Sequence, residues 1–318
     1  IRHATYVLYA FFRIADEVVD DPDPPPPSVQ LETLDRIRRE ALGERPPTDP
    51  VTAAFSELRD EHDIPDREVE SFVGAMERDV SATRFETYED LEGYLRGSSV
   101  AVGYMMVDVM EPADPEIARP HAKALGEAFQ LTNFLRDVRE DVLEYGRIYL
   151  PRSTLDRYGV SDEQIERLEF DDGFAAAMRT ELERTEALYR KGVDGIAYLP
   201  EGCQFAVLLA AVLYADHHRL IRAQGYDVLS NRPTLSLLRR VELLVRTWWH
   251  WRRSDDPRAT FDAVSAVPPE PTGRERGRGV AGARDHGSDG RRWAPPVRRV
   301  AGAIRSKVPL GGRDGSDV

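Results

Sequence analysis

Apolar residues return every three or four positions through nearly all of residues 1–262, and no stretch alternates apolar and polar residues at period two. Such a chain can bury its apolar stripes only helix against helix, so the predicted class is all-α, a single-domain helical bundle of about ten helices. Helix one runs from the start to about Asp20 and is stopped by Asp21-Pro22-Asp23 and the prolines that follow. Ser28 is placed to cap a second helix bearing Leu31, Leu34, Ile37 and Leu42, and a third carries Val51, Ala54, Phe55 and Leu58. Asp66 opens a fourth, with Val69, Phe72, Val73, Met76 and Val80. Thr87 and Asp90 form a capping-box pattern ahead of Leu91, Tyr94, Leu95 and Val102. A long helix is expected over 115–144 and a new start at Ser161 with Gln164. Further helices are expected near 172–197, 201–223 and 234–252.

The helical body therefore spans 1–262, and residues 263–318 differ in kind. From Ala266 onward eleven basic residues face six acidic ones, ten of the 23 glycines are gathered there, and apolar periodicity is lost. That composition reads as a disordered Gly/Arg-rich tail without chemistry. The chain also begins at Ile1 in mid-pattern, and an N-terminally incomplete sequence is expected.

Composition removes several classes of function. One cysteine, Cys203, excludes a disulfide framework and any cysteine-based zinc or iron–sulfur centre, and fits a reducing cytoplasm. The longest apolar run, Phe205–Ala215, is well short of the roughly 20 residues that span a bilayer. A net charge of −13 argues against nucleic acid as a partner. Only three of the 43 basic residues are lysines: Lys123, Lys191 and Lys307. An acidic, lysine-poor surface fits adaptation to molar salt, and arginine-rich codon usage would leave the same mark.

Two carboxylate pairs stand out from this acidic background. Asp16 and Asp20 lie four apart at the end of helix one, finishing a stripe that holds Leu8, Tyr9 and Phe12. Asp137 and Asp141 repeat the spacing, and their face runs back through Asn133 and Gln130, flanked by Leu125, Phe129, Leu131, Phe134 and Leu135. Carboxylates on or beside apolar faces are costly unless paired or metal-bound, whereas pairs such as Glu57/Glu61 read as solvated surface. Arg13 stands beside the first pair, Arg136 and Arg147 beside the second. Facing carboxylates make a hard-oxygen site suited to Mg²⁺, which is usually held by a few carboxylates plus substrate phosphates, and arginine forks suit phosphate oxygens.

The segment Phe11-Phe12-Arg13-Ile14-Ala15-Asp16-Glu17-Val18-Val19-Asp20-Asp21 resembles the first aspartate-rich motif of the squalene and phytoene synthase family. Gln130-Leu131-Thr132-Asn133-Phe134-Leu135-Arg136-Asp137-Val138-Arg139-Glu140-Asp141, with Gly146-Arg147-Ile148-Tyr149-Leu150-Pro151 after it, resembles the second. Arg84–Leu91, Val102–Met106 and Gly225–Val228 support the likeness, which covers roughly residues 1–260. The second motif is nearer to phytoene synthases of bacteria and archaea than to squalene synthases. With the composition, it implies a haloarchaeal member. Three departures stand against the pattern. A preceding diphosphate-holding segment is absent, Glu17 replaces an aspartate, and Asn231-Arg232 stands where two arginines are common.

The resemblance implies an isoprenoid synthase-like fold with a central cavity, and a Mg-dependent prenyltransferase. It would join two geranylgeranyl diphosphates head to head, through prephytoene diphosphate, to phytoene, the first committed step of carotenoid biosynthesis. It assigns Asp16, Asp20, Asp137 and Asp141 to Mg²⁺ (or Mn²⁺) and to catalysis. Arg13, Gln130, Asn133, Arg136 and Arg147 are assigned to the substrate. No NADPH is expected, the isoprenoid diphosphate is the partner, and a cytoplasmic monomer is expected. Tyr9, Phe12, Tyr104, Phe129 and Phe134 could shield cations, although core packing explains them as well.

A squalene or dehydrosqualene synthase is the nearest alternative, and a non-catalytic scaffold is another. A helical di-metal oxidase would want Glu-x-x-His pairs, which the long helices lack. His217 and His218 read as surface or core packing. Trp248, Trp249 and Trp251 with Arg246, Arg252 and Arg253 read either as core or as an anchor for peripheral membrane contact.

Overall fold

A computed structural model describes residues 1–269 apart from Pro22, Ala82 and Thr83. Residues Ile1–Pro269 form one compact unit, and the Gly/Arg-rich stretch read above as a tail lies mostly outside the described residues. The expected all-α class holds. In chain order the helices are α1 (Arg2–Val19), α2 (Pro27–Ala41), α3 (Pro50–Glu61), α4 (Asp66–Asp79), α5 (Tyr88–Leu95) and α6 (Val102–Met110). Then come α7 (Pro115–Arg136), α8 (Val138–Tyr145), α9 (Arg152–Arg157), α10 (Asp162–Glu166), α11 (Asp172–Val193), α12 (Glu201–Ala223), α13 (Leu237–Ser254) and α14 (Pro257–Val264). A π-helical turn at Arg96–Ala101 joins α5 to α6, and a 3₁₀ turn at Asp194–Tyr198 follows α11. Among the described residues the only β pairing is one isolated parallel bridge, Arg84 to Ile148. None of the described helices is long and apolar enough to cross a membrane.

The caps follow the sequence signals with one exception. The Thr87/Asp90 capping box forms in both directions, and Ser161 accepts from the Gln164 N–H. Ser28 caps nothing: α2 begins at Pro27, whose ring presets the helical φ of a first position, so Ser28 falls inside the first turn.

α7 is the hub, packed against α6, α11, α12 and both irregular turns. The π turn in turn packs closely on α4 at Gly97, where an added Cβ would sit 2.1 Å from the carbonyl oxygen of Ser71. One apolar cluster joins α1 to α5 around Phe11, Phe55 and Phe72, with Phe11 and Phe55 stacked at 3.7 Å. A second holds α12, α13 and α14 against the α7 and α11 pair.

Two expectations shift. The helix foreseen over 115–144 breaks at Asp137, whose φ of −104° and ψ of 11° end α7 and begin α8. The backbone bonds run on through the break, Asp137 N–H donating to Asn133 O and Asp141 N–H to Asp137 O, both at 2.9 Å. α1 buries Leu8, Phe11, Ala15 and Val19, while Tyr9 is 66% exposed. Tyr9 lies about 100° around the helix from Leu8, off the stripe centred on Phe11.

Candidate active site

The site is assembled where α1, α4 and the α7–α8 junction meet. α8 ends at Gly146, whose φ of 62° is in the left-handed region that glycine enters freely, and the chain doubles back. Arg147 follows at once, its N–H donating to Asp141 O at 2.9 Å. Its buried guanidinium donates to two helix-end carbonyls, Val19 O at 3.2 Å and Asp79 O at 3.0 Å. The same group donates to Asp20 Oδ1 and to the Tyr149 hydroxyl, each at 3.4 Å. One cation thus ties the C-terminal ends of α1 and α4 together, where helix dipoles are negative.

Asp79 is a fifth carboxylate that the sequence reading did not pick out. Tyr94 donates to its Oδ2 at 2.7 Å, while its buried Oδ1 has no partner. A local signal existed, because Asp79 extends the buried α4 stripe Val69–Phe72–Met76, just as Asp16 and Asp20 extend that of α1. Beneath the carboxylates lies an aromatic floor. Phe134 stacks on Tyr149 at 3.8 Å, and Tyr149 lies 5.8 Å from Phe85. Phe134 is thus core of the site rather than a free ring.

The electrostatics show carboxylate in excess. Burial, then the neighbouring Asp20 charge, pushes Asp16 up to about 7, with Arg13 opposing. Burial and Asp137 push Asp141 up to about 8; Arg147 opposes this, and Asp20 adds to it. Asp20 of the first pair and Asp141 of the second therefore both lie within electrostatic reach of Arg147. Burial raises Asp79 to about 6 against the pull of Arg147. Burial also shifts Asp20 upward, with Arg147 again opposing. Such a cluster of hard oxygens favours a divalent cation. Among the described residues no three acidic or imidazole side chains are drawn together closely enough to hold one ion alone. One or two carboxylates with substrate phosphates supplying the remaining oxygens is the arrangement that suits Mg²⁺, and the orphaned Asp79 Oδ1 is a further donor.

The remaining candidates divide. Arg136 forks onto Asp137 with contacts of 2.6 and 2.5 Å. Arg232, from the Asn231-Arg232 pair, meets Asp137 Oδ1 at 2.9 Å and Glu140 at 2.6 Å, so the single arginine of that pair does reach the site. Arg13 sits at the rim, paired with Glu17 at 3.0 Å and more than half exposed. Gln130 and Asn133 line the head of a cavity of about 750 Å³. Its walls are apolar: Val102 and Met106 of α6, Leu125 and Phe129 of α7, and Ala206 and Tyr214 of α12. His218 is fully buried behind it, bonded to Thr132 and Glu186, and Tyr104 lies under Arg119 and Arg96.

A carboxylate cluster around Arg147, with an apolar cavity reaching Gln130 and Asn133 on the helix that ends at Asp137, fits an amphiphile with an anionic head. The squalene/phytoene synthase family profile matches residues 1–239. The chain belongs to this family. It is 30% identical to the phytoene synthase of Arthrospira platensis over 73% of this chain and 78% of that protein. It is 29% identical to the 15-cis-phytoene synthase of Synechocystis over 78% of this chain and 76% of that protein. The fold superposes on a ligand-bound dehydrosqualene synthase with a TM-score of 0.70 at 29% identity, covering 78% of this chain and 86% of that one. A squalene synthase of Alicyclobacillus acidocaldarius gives 0.63 at 27% identity, covering 71% and 84%. The isoprenoid synthase-like fold expected from the motifs is the fold observed.

Proposed function

We propose that this family member is a phytoene synthase, a prenyltransferase condensing two geranylgeranyl diphosphates head to head to phytoene through prephytoene diphosphate. The observation that carries the proposal is a carboxylate cluster around buried Arg147 together with an apolar cavity of about 750 Å³ that reaches Gln130 and Asn133 on α7, the helix that ends at Asp137. The likeness to phytoene synthases at 29–30% identity favours phytoene over a squalene-type product.

Asp16, Asp20, Asp137 and Asp141 would hold Mg²⁺, or Mn²⁺ in its place, with Asp79 Oδ1 as a further oxygen. Bound there, the cation supplies countercharge to a departing diphosphate. Arg147 is already fixed by two carbonyls, so it presents its charge without reorganising. Arg136 and Arg232 share Asp137 and would turn part of their donors to phosphate oxygens. Arg13, Gln130 and Asn133 border the head and would orient it.

The C–O bond of the first substrate breaks and its electron pair leaves with the diphosphate. The second substrate's double bond supplies the pair for the new C–C bond, and proton loss closes a cyclopropane. A second ionisation, rearrangement and proton loss then give the hydrocarbon. The rings of Phe129 and Tyr214, 4.7 Å apart at the cavity wall, offer π density to the cations. Apolar walls keep out water that would trap a cation as an alcohol.

The reading extends to the enzyme's surroundings. It acts from the cytoplasm as a monomer, and α13 serves as its contact with an anionic membrane surface. Leu238 (84% exposed), Leu237, Val241, Val245, Trp248 and Trp249 point outward from α13. The helix carries five arginines against one glutamate in a chain of net charge −13, which complements anionic headgroups. The acidic surface is read as salt adaptation, so the assay belongs in molar KCl.

The test is incubation of the full chain with labelled geranylgeranyl diphosphate and Mg²⁺, extracting hydrocarbons with and without NADPH. Phytoene formed without NADPH is expected. A product that needs NADPH would favour the squalene branch, and none from a folded chain would favour a scaffold.

A further inference from the structure

The cavity runs along α6, α7 and α12. α6 and α7 run side by side in opposite directions: Ser99 lies against Gly126 and Gly103 against Ala122. Continuing that register brings Met110 beside the first turns of α7, where Ala118 also lines the cavity. On the other wall α12 presents Gly202, Ala206, Ala210 and Tyr214 at successive four-residue steps, one face of the helix. Tyr214 is level with Phe129 near the head, and Cys203 is at the opposite end.

Length then decides what fits. From Asn133 to Ala118 the run along α7 is roughly 22 Å at about 1.5 Å per residue. An extended isoprene unit advances about 5 Å over its four C–C bonds. A tail of three units started level with Asn133 therefore stops short of the far end, and one of four units nearly fills the run. Ala206, about 12 Å along α12 from Tyr214, is level with the last unit of the longer tail. It is apolar, is accessible and lines the cavity.

We infer that Ala206 is the length-determining residue of this cavity: its single methyl leaves room for the fourth isoprene unit, and buried Met110, Ala118 and Cys203 line the cavity beyond it. The thioethers of Met106 and Met110 on the facing wall can adapt to that terminal unit. This inference rests on the isoprenoid substrate proposed above and assigns the discrimination between C20 and C15 tails to one position.

Thiol protection tests it without turnover. In the full chain, Ala206→Cys with Cys203→Ala leaves one thiol, at the assigned position. Its alkylation rate is measured with Mg²⁺ and non-ionising thiolo-diphosphates bearing C20 or C15 tails, with binding of each checked by equilibrium dialysis. The C20 analogue is expected to slow alkylation at least tenfold and the C15 analogue less than twofold. In parallel, Ala206→Phe is expected to weaken C20 binding at least tenfold and C15 binding less than twofold. Equal protection by both bound analogues, or by neither, overturns the assignment, as does an Ala206→Phe chain that binds the C20 analogue normally. Failure of both analogues to bind the unsubstituted chain would instead reject the substrate reading, and the assignment with it.

Discussion

Arg147 Nη1 lies 3.4 Å from Asp20 Oδ1, joining residues 127 positions apart and bridging the two aspartate-rich segments. The same guanidinium satisfies the last carbonyls of α1 and α4, so it serves both the fold and the site. Arg147→Ala should destabilise the chain by about 3 kcal/mol, because it leaves a buried carboxylate cluster without its cation. Activity should fall at least a hundredfold. Arg147→Lys should restore little of either, since an ammonium cannot reproduce the planar fork. Denaturant titration beside product assays checks both, and a fully active lysine variant would contradict the assignment.

The carboxylate excess makes stability depend on pH in a definite sense. Asp16 and Asp141 are raised from 3.8 to about 7 and about 8, so the metal-free native state holds protons that the unfolded chain has released. Their contribution is full below pH 3.8 and is lost as pH rises through 7 and 8. The Tm of the metal-free chain should therefore fall between about pH 5 and pH 8.5, with Asp141→Asn flattening the slope. Millimolar Mg²⁺ should recover much of the loss at the upper end. A metal-free Tm that climbs across this window would rule the account out.

Much of this site was legible because Asp16, Asp20, Asp137 and Asp141 continue apolar helical stripes, and a stripe that ends in carboxylates must face something that compensates them. Gln130 and Asn133 were legible for the same reason. Tyr94 and Tyr149 carried no such signal. Their roles come from the tertiary pairing of α5 and the segment after α8 with α4, which periodicity does not report. The break at Asp137 was hidden because its backbone bonds continue through it. α9 and α10 are too short for a stripe to be recognised, and α10 was legible only from its Ser161 cap.

Packing at the π turn offers a sharp contrast between two glycines. Gly97→Ala would place a Cβ 2.1 Å from Ser71 O and 2.7 Å from Ala75 Cβ, against backbone that cannot yield cheaply. A loss of about 2 kcal/mol is expected. Gly93→Ala meets nothing within 4 Å on α5 and should stabilise by about 0.5 kcal/mol. Thermal melts of the two variants should move in opposite directions.

The outward face of α13 predicts selective binding to vesicles rich in anionic lipid over zwitterionic ones, with a blue shift of tryptophan emission. Leu238→Glu with Val245→Glu should weaken that binding at least tenfold while leaving the melt unchanged, because both side chains are exposed. Unaltered vesicle binding would exclude α13 as the contact. A concentration-dependent dimer abolished by the same pair would assign the face to a second copy instead.

The central claim is that the two aspartate pairs form one magnesium-dependent diphosphate site. Calorimetric titration of the full chain with a non-ionising C20 thiolo-diphosphate, with and without Mg²⁺, tests it most directly. Binding should require Mg²⁺, and Asp16→Ala and Asp137→Ala should each weaken it at least a hundredfold although they lie on different helices. Tight binding without the cation, or a loss confined to one of the two variants, would contradict it.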